Sequence, residues 1–288
     1  MSSSSWIVFK SLLEGTNSPL QSQVGSFLSN DEREKYESVH ASKQDLFSYD
    51  TSLKVRLEDI HYSWFISFLE PFAENDKELI LSALGATQSE KLRQHFAIKK
   101  ANPLPLKETA KNYLSSAIYD YLTSDQKEFL PTEFIPDHPL NALLSLSKRQ
   151  IQTLVDYLGL HDLAMELRHV IKSDQIKKIQ KVLSKDEQKH LKSILKQKEP
   201  LSFSRLNLDG WNGDGQMLKA ILHHRGFNRL AKALFGCHPS LLWHISHKLD
   251  TGRTKVLRKF YTDINNDEAL KSLTNQILEL IPKVSKES

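Results

Sequence analysis

Six residues in the last third of the chain are of the types that a transition metal takes: His223, His224, Cys237, His238, His244 and His247. Imidazole nitrogen and thiolate sulfur bind zinc tetrahedrally, and His244 and His247 fall three apart on one helix face with Cys237-His238 in the turn before it. Against a metal centre, the cysteine is single, no carboxylate falls at a ligand spacing, and the histidines interleave with Leu241, Leu242, Trp243 and Ile245. The expectation is no metal and no cofactor, with these histidines at a surface or an interface.

Catalytic patterns are also missing. There is no glycine-rich phosphate loop with its lysine, no G-x-S-x-G elbow and no metalloprotease helix. His161, Asp162 and Glu166 share a helix, but the apolar stripe Leu163, Ala164 and Leu167 accounts for that helix without chemistry. The chain is expected not to be an enzyme. Two features suit binding instead. Trp211, Arg225 and Phe227 are residue types that supply much of the energy at protein contacts. Lys177, Lys178, Lys181, Lys185, Lys189, Lys192, Lys196 and Lys198 form a basic succession, of which Lys177, Lys181, Lys185, Lys189 and Lys192 are the candidates for an anionic partner. A helical repeat can track a phosphate backbone with such a face, so nucleic-acid binding by residues 177–198 is the alternative reading. Scarce arginine and no interleaved aromatics favour solvated helix faces, and no nucleic acid is expected.

The elements that must position these residues are helical. Glycine and proline number 10 each in 288 residues, and no run of alternating β-branched residues argues for a sheet. The fold class expected is all-α, a multi-module helical bundle with armadillo-like helical repeats. Residues 1–52 are Ser-rich and read as a mostly irregular arm. Residues 53–123 carry stripes such as Ile60, Trp64, Phe65, Phe68 and Leu69, enough for an N-terminal bundle, and the polar stretch Thr123 to Asp137 reads as a linker. A first helical module spans 137–200, with capping boxes at Ser147/Gln150 and Ser184/Glu187 and a helix stop at Gly159. A second module spans 205–284. Leu230, Ala231 and Leu234 repeat Leu163, Ala164 and Leu167 at a spacing of 67, and Ile245, Leu249, Leu257 and Phe260 repeat Ile179, Leu183, Leu191 and Ile194 at 66, which points to duplication.

Thirty-nine basic against 35 acidic side chains leave a formal charge of +4, which demands no anionic polymer. A single cysteine suits a reducing compartment. With no signal-peptide pattern in MSSSSWIVFKSLLEG and no apolar run of about 18–20 residues, a soluble intracellular protein is expected.

Several motifs resemble a known family. Gln152-Thr153-Leu154-Val155, His161-Asp162-Leu163-Ala164-Met165-Glu166-Leu167-Arg168 and Ser184-Lys185-Asp186-Glu187 are similar to the Q-x-L-L, D-L-A-x-x-L-K and S-K-R runs of the flagellar rotor-switch family FliG. Asp137-His138-Pro139 resembles that family's Glu-His-Pro motif, and in the second module Arg229 stands where the first has Asp162. Ile60-His61-Tyr62-Ser63-Trp64 resembles the I-H-P-S-W segment of the type III secretion sorting-platform K component, with Tyr62 in place of proline. The resemblance implies FliG-like helical modules in a non-enzymatic scaffold that links the inner-membrane ring of a secretion system or flagellar-like basal body to cytoplasmic ring or sorting-platform components. It implies a place in the bacterial cytoplasm, peripheral at the inner face of the membrane, and compatibility with assembly in a ring. Torque is not implied, because the family's alternating-charge helix has no clear counterpart. The expected protein interface is Trp64, His138, Asp162, Arg168, Trp211, Arg225, Phe227 and Trp243.

Overall fold

The computed structural model describes residues 3–14, 16–39, 53–98, 105–168, 173–196, 205–206, 208 and 211–286. Every regular element among them is helical. In chain order the α-helices are α1 (Ser3–Glu14), α2 (Ser18–Ser26), α3 (Asn30–Ser38), α4 (Leu53–Glu58), α5 (Ile66–Leu69), α6 (Glu74–Leu81), α7 (Ala86–Phe96), α8 (Glu108–Thr123), α9 (Lys148–Leu167), α10 (Ser173–Val182), α11 (Lys185–Ile194), α12 (Gly215–Leu234), α13 (Pro239–Lys248), α14 (Thr251–Phe260) and α15 (Asp267–Ser285). Short 3-10 turns occur at Tyr62–Trp64, Thr132–Phe134 and Pro139–Ser145. Among the described residues no helix is long and apolar enough to cross a membrane.

The chain forms two compact units, Met1–Asp137 with His238–Asp250, and His138–Cys237 with Thr251–Ser288. This differs from the expected division into an arm, a bundle and two successive modules. Within residues 1–52, the described part is largely helical rather than irregular: α2 is capped by Asn17, α3 opens on a complete capping box at Ser29/Glu32, and Trp6, Val8 and Leu13 of α1 are buried. Ser29 there caps a helix instead of breaking one, and other serines lie within α1 and α2. The expected linker also belongs to the first unit. Ile135 is buried, Phe129 packs on the core beside Tyr119 and Trp243, and Glu133 pairs with Arg56.

The core of the first unit gathers Leu57, Ile60, Phe65, Leu69, Ile80, Leu81, Leu92 and Ile118 from α4 to α8, and it is completed by Trp243 from α13. His247 of α13 lies between Trp64 and Trp243, with ring centroids 3.9 and 3.8 Å away and planes within 28° and 23°. Backbone and charge fix the same helix. His61 N–H donates to His247 O (2.8 Å), Trp64 Nε1 donates to Leu249 O (2.9 Å), and Lys248 meets Asp59 at 3.3 Å.

In the second unit, α9 and α12 are each 20 residues long and start 67 apart. The helices that follow, α10 and α13, then α11 and α14, are each 10 residues and start 66 apart. The chain thus carries two copies of a long-short-short helix triplet, at the intervals that the apolar positions predicted. Both expected capping boxes are present. The expected stop at Gly159 is not: α9 runs through it. A Cβ on Gly159 would lie 2.1 Å from Leu222 O, and one on Gly226 would lie 1.8 Å from Val155 O. These two contacts are reciprocal, since 155 and 222, like 159 and 226, are 67 apart. Glycine is required here for close approach of two backbones rather than to end a helix. Asp156 meets His223 at 2.6 Å and, six residues on, Asp162 meets Arg229, so α9 and α12 run side by side in the same direction about a local two-fold axis. The last helix, α15, lays Leu273, Ile277, Leu280 and Val284 on this pair, and Lys283 Nζ sits 3.7 Å over the Tyr157 ring.

Gly226→Ala is expected to destabilise the protein by about 2–4 kcal/mol, because the helices must separate or bend to admit the methyl group. Urea unfolding of Gly226→Ala beside Gly25→Ala, whose Cβ would meet nothing within 4 Å, checks this.

Candidate interaction surface

The axis of the helix pair carries a buried polar cluster. Arg229 is fully buried and donates through Nε to Asp162 Oδ1 (2.8 Å), through its second terminal nitrogen to the same oxygen (2.5 Å), and through Nη1 to Gln276 Oε1 (2.9 Å). Arg225 Nε stands 3.8 Å from Asp162 Oδ2, and buried Glu166 accepts from Leu206 N–H (3.1 Å) and meets Arg205 (3.4 Å). The departure of Arg229 from the Asp162 pattern now has a reason. On a two-fold axis each residue meets its own counterpart, so an unchanged duplicate would set Asp against Asp. Arginine turns that repulsion into an ion pair.

This corrects several interface expectations. Asp162, Trp211, Phe227 and Trp243 are all at most 7% exposed, and their energy goes into the chain's own packing. Trp211 donates Nε1–H to Asp214 O and so closes the turn into α12. Trp64 is half-buried against His247, and half-buried Arg225 reaches Arg205 O as well as Asp162. Arg168 and His138 remain exposed. Arg168 donates to Ile194 O (3.2 Å), tying α9 to α11, while His138 Nδ1 accepts from Leu140 N–H and caps the Pro139–Ser145 turn.

The histidines and the cysteine are individually committed, and among the described residues no group of three His, Cys, Asp or Glu side chains is placed to hold a metal. His223 pairs with Asp156, and His224 packs edge-on to Phe260. His238 caps α13 through Ser240 N–H, and His244 donates to Leu130 O (3.0 Å). Cys237 Sγ lies 3.6 and 3.8 Å from the two nitrogens of His138. Near-equal distances put sulfur against the ring rather than in line with either nitrogen. Burial pushes the thiol up to about 11, and the partial desolvation of the otherwise exposed His138 lowers it below its usual value, the reverse of a thiolate–imidazolium pair. Beside His138, Phe235, Lys271, Thr274 and Asn275 line an open cavity of about 430 Å³ that the sequence pattern did not single out.

The second unit exposes a run of lysines, and the first exposes a set of aromatic side chains. Lys177, Lys178, Lys181, Lys185, Lys189, Lys192 and Lys196 are all exposed on or next to α10 and α11, and none makes an ion pair among the described residues. Lys198 lies outside those residues. Ile179, Leu183, Leu191 and Ile194 form the buried side of the same helices. On the first unit, exposed Tyr121 touches Phe68, which touches Phe72, and Tyr113 stands two turns earlier on α8 at 75% exposure.

No protein-family model, curated protein or solved structure matches this chain.

Two outcomes test the interior. Arg229→Met alone is expected to cost about 3–5 kcal/mol, because a buried carboxylate loses its main partner, whereas Asp162→Leu with Arg229→Met is expected to recover most of that loss in urea melts. The second concerns pH. Burial lowers His190 and His244 to about 4, so both are neutral when folded near neutral pH. The unfolded chain takes up protons below about 6.5, hence stability is full above that pH and falls as pH drops from about 6.5 to about 4. Thermal midpoints across this window should decline, and less steeply for His244→Gln.

Proposed function

We propose that the chain is a non-enzymatic scaffold that binds other proteins, in the manner of the flagellar rotor-switch family and the K component of the type III secretion sorting platform that its motifs resemble. In this reading it joins the inner-membrane ring of a bacterial basal body to cytoplasmic ring or sorting-platform components. It does so at the cytoplasmic face and as one member of a ring. The observation that carries the reading is the duplicated helix triplet of the second half, whose long helices are spent on each other while a short lysine-clad helix pair faces outward.

Each unit has a surface of its own. The first offers exposed aromatic side chains, the residue type that anchors protein contacts, and the second offers point charges. The buried residues argue in the same direction. A thiol raised to about 11 and histidines lowered by burial are set for packing, not for proton transfer at neutral pH. The alternative, nucleic-acid binding by residues 177–198, draws on the same exposed lysines. It has no exposed aromatic among the described residues of α10 and α11 on which a base would stack.

Tagged full-length protein, purified from its own cells under mild detergent, is expected to bring down ring and sorting-platform proteins of a secretion or flagellar basal body. Tyr113→Ala with Tyr121→Ala is expected to weaken one subset of these contacts by about ten-fold. Recovery of ribonucleoprotein or chromatin components alone would sink the scaffold in favour of the alternative.

A further inference from the structure

The two copies treat one helix face in opposite ways. In the second copy the outward residues of α13 are covered. Ser240 Oγ accepts from Leu130 N–H (2.8 Å) and donates to Glu128 O (3.2 Å), Trp243 completes a core, His244 holds Leu130 O, and His247 lies between two tryptophan rings. Sixty-six residues earlier, the same four positions are Asp174, Lys177, Lys178 and Lys181 on α10. All four are exposed. The inward anchor is unchanged, since Ile179 and its counterpart Ile245 are both buried. This face of α13 is thus covered within the first unit, whereas the same face of α10 is open and basic.

We propose that the outer face of α10 is a docking face for a carboxylate-rich helical surface of a partner protein, the counterpart of the contact that α13 makes inside the first unit. It rests on the scaffold reading, for which it names the chemistry of one partner. The charge is directional. Between residues 173 and 196 there are seven lysines against Asp174, Asp186 and Glu187, and Glu187 is engaged in the capping box with Ser184. Lys185, Lys189 and Lys192 continue the basic face along α11 at i, i+4 and i+7. No arginine occurs in the segment, so bidentate forks onto phosphate are absent. Nor is there an exposed ring for base stacking. Scattered carboxylates on a helical surface match point charges at these spacings. A second copy of this chain fits less well, because the site that receives α13 is built mainly of Trp64, Tyr119, Phe129 and backbone carbonyls, and its nearby carboxylate Glu133 is already paired with Arg56.

The test compares two charge reversals of equal size in the full chain. Lys177→Glu/Lys178→Glu/Lys181→Glu removes the α10 face, and Lys255→Glu/Arg258→Glu/Lys259→Glu removes exposed charge from α14. All six side chains are exposed, and circular dichroism with thermal melts checks that both variants fold. Three probes are titrated by fluorescence anisotropy or co-sedimentation: a labelled glutamate-rich helical peptide, a DNA duplex, and phosphatidylglycerol vesicles. The expected result is salt-sensitive binding of the peptide that weakens about ten-fold in the α10 variant and less than about two-fold in the α14 variant. The duplex and vesicles should respond equally to both reversals. No binding of the peptide, equal loss in both variants, or discrimination seen only with the duplex or only with vesicles would each overturn the docking face. Co-purification of basal-body proteins that survives such a failure leaves the scaffold standing. Its loss with peptide selectivity intact condemns the scaffold alone.

Discussion

Two glycines let two helices touch at the backbone, and the second unit is arranged around that contact. Because Gly159 and Gly226 have no Cβ, the carbonyls of Leu222 and Val155 come within a distance that no side chain tolerates. Once α9 and α12 lie this close and in the same direction, the residues on the axis are forced to meet their own counterparts. That is why the copies had to diverge there, Asp156 against His223 and Asp162 against Arg229. The burial of Arg229 is a consequence of the same approach. Its charge is tolerable because Asp162 and Gln276 satisfy the guanidinium from within the unit.

Duplication also explains how the first unit is closed. A short helix cannot stand alone in water, so each copy must bury α10 or α13 on something. In the second copy the residues of the outer face are Trp243, His244 and His247, with Ser240 beside them, and α13 is claimed by the N-terminal core through ring stacking and five hydrogen bonds that involve backbone groups. In the first copy the equivalent residues are charged, which keeps α10 hydrated. The difference between the copies is a difference in what each surface leaves exposed.

The groups with chemical potential are held in states that suit structure. Cys237 is neutral and lies against a ring, His244 is kept neutral by burial that outweighs the Leu130 carbonyl, and His161 is lowered to about 2 by burial, Arg229 and His190. These shifts make the interior sensitive to acid.

The sequence by itself determined the helical class, the capping boxes at Ser147 and Ser184, and the interval of the repeat, because caps and apolar periodicity act within a few residues of where they are written. It also held a signal that periodicity alone does not read. Gly159 and Gly226 stand 67 apart, so a glycine kept at the repeat interval marks a close helix contact and not a stop. Which aromatic and charged residues face outward was decided only in three dimensions. Trp211, Phe227 and Trp243 have the composition of an interface, yet the chain's own surfaces reach them first. Likewise the late segment His238–Asp250 joins the first unit because a hydrophobic core takes whatever apolar face is available to it, irrespective of distance along the chain.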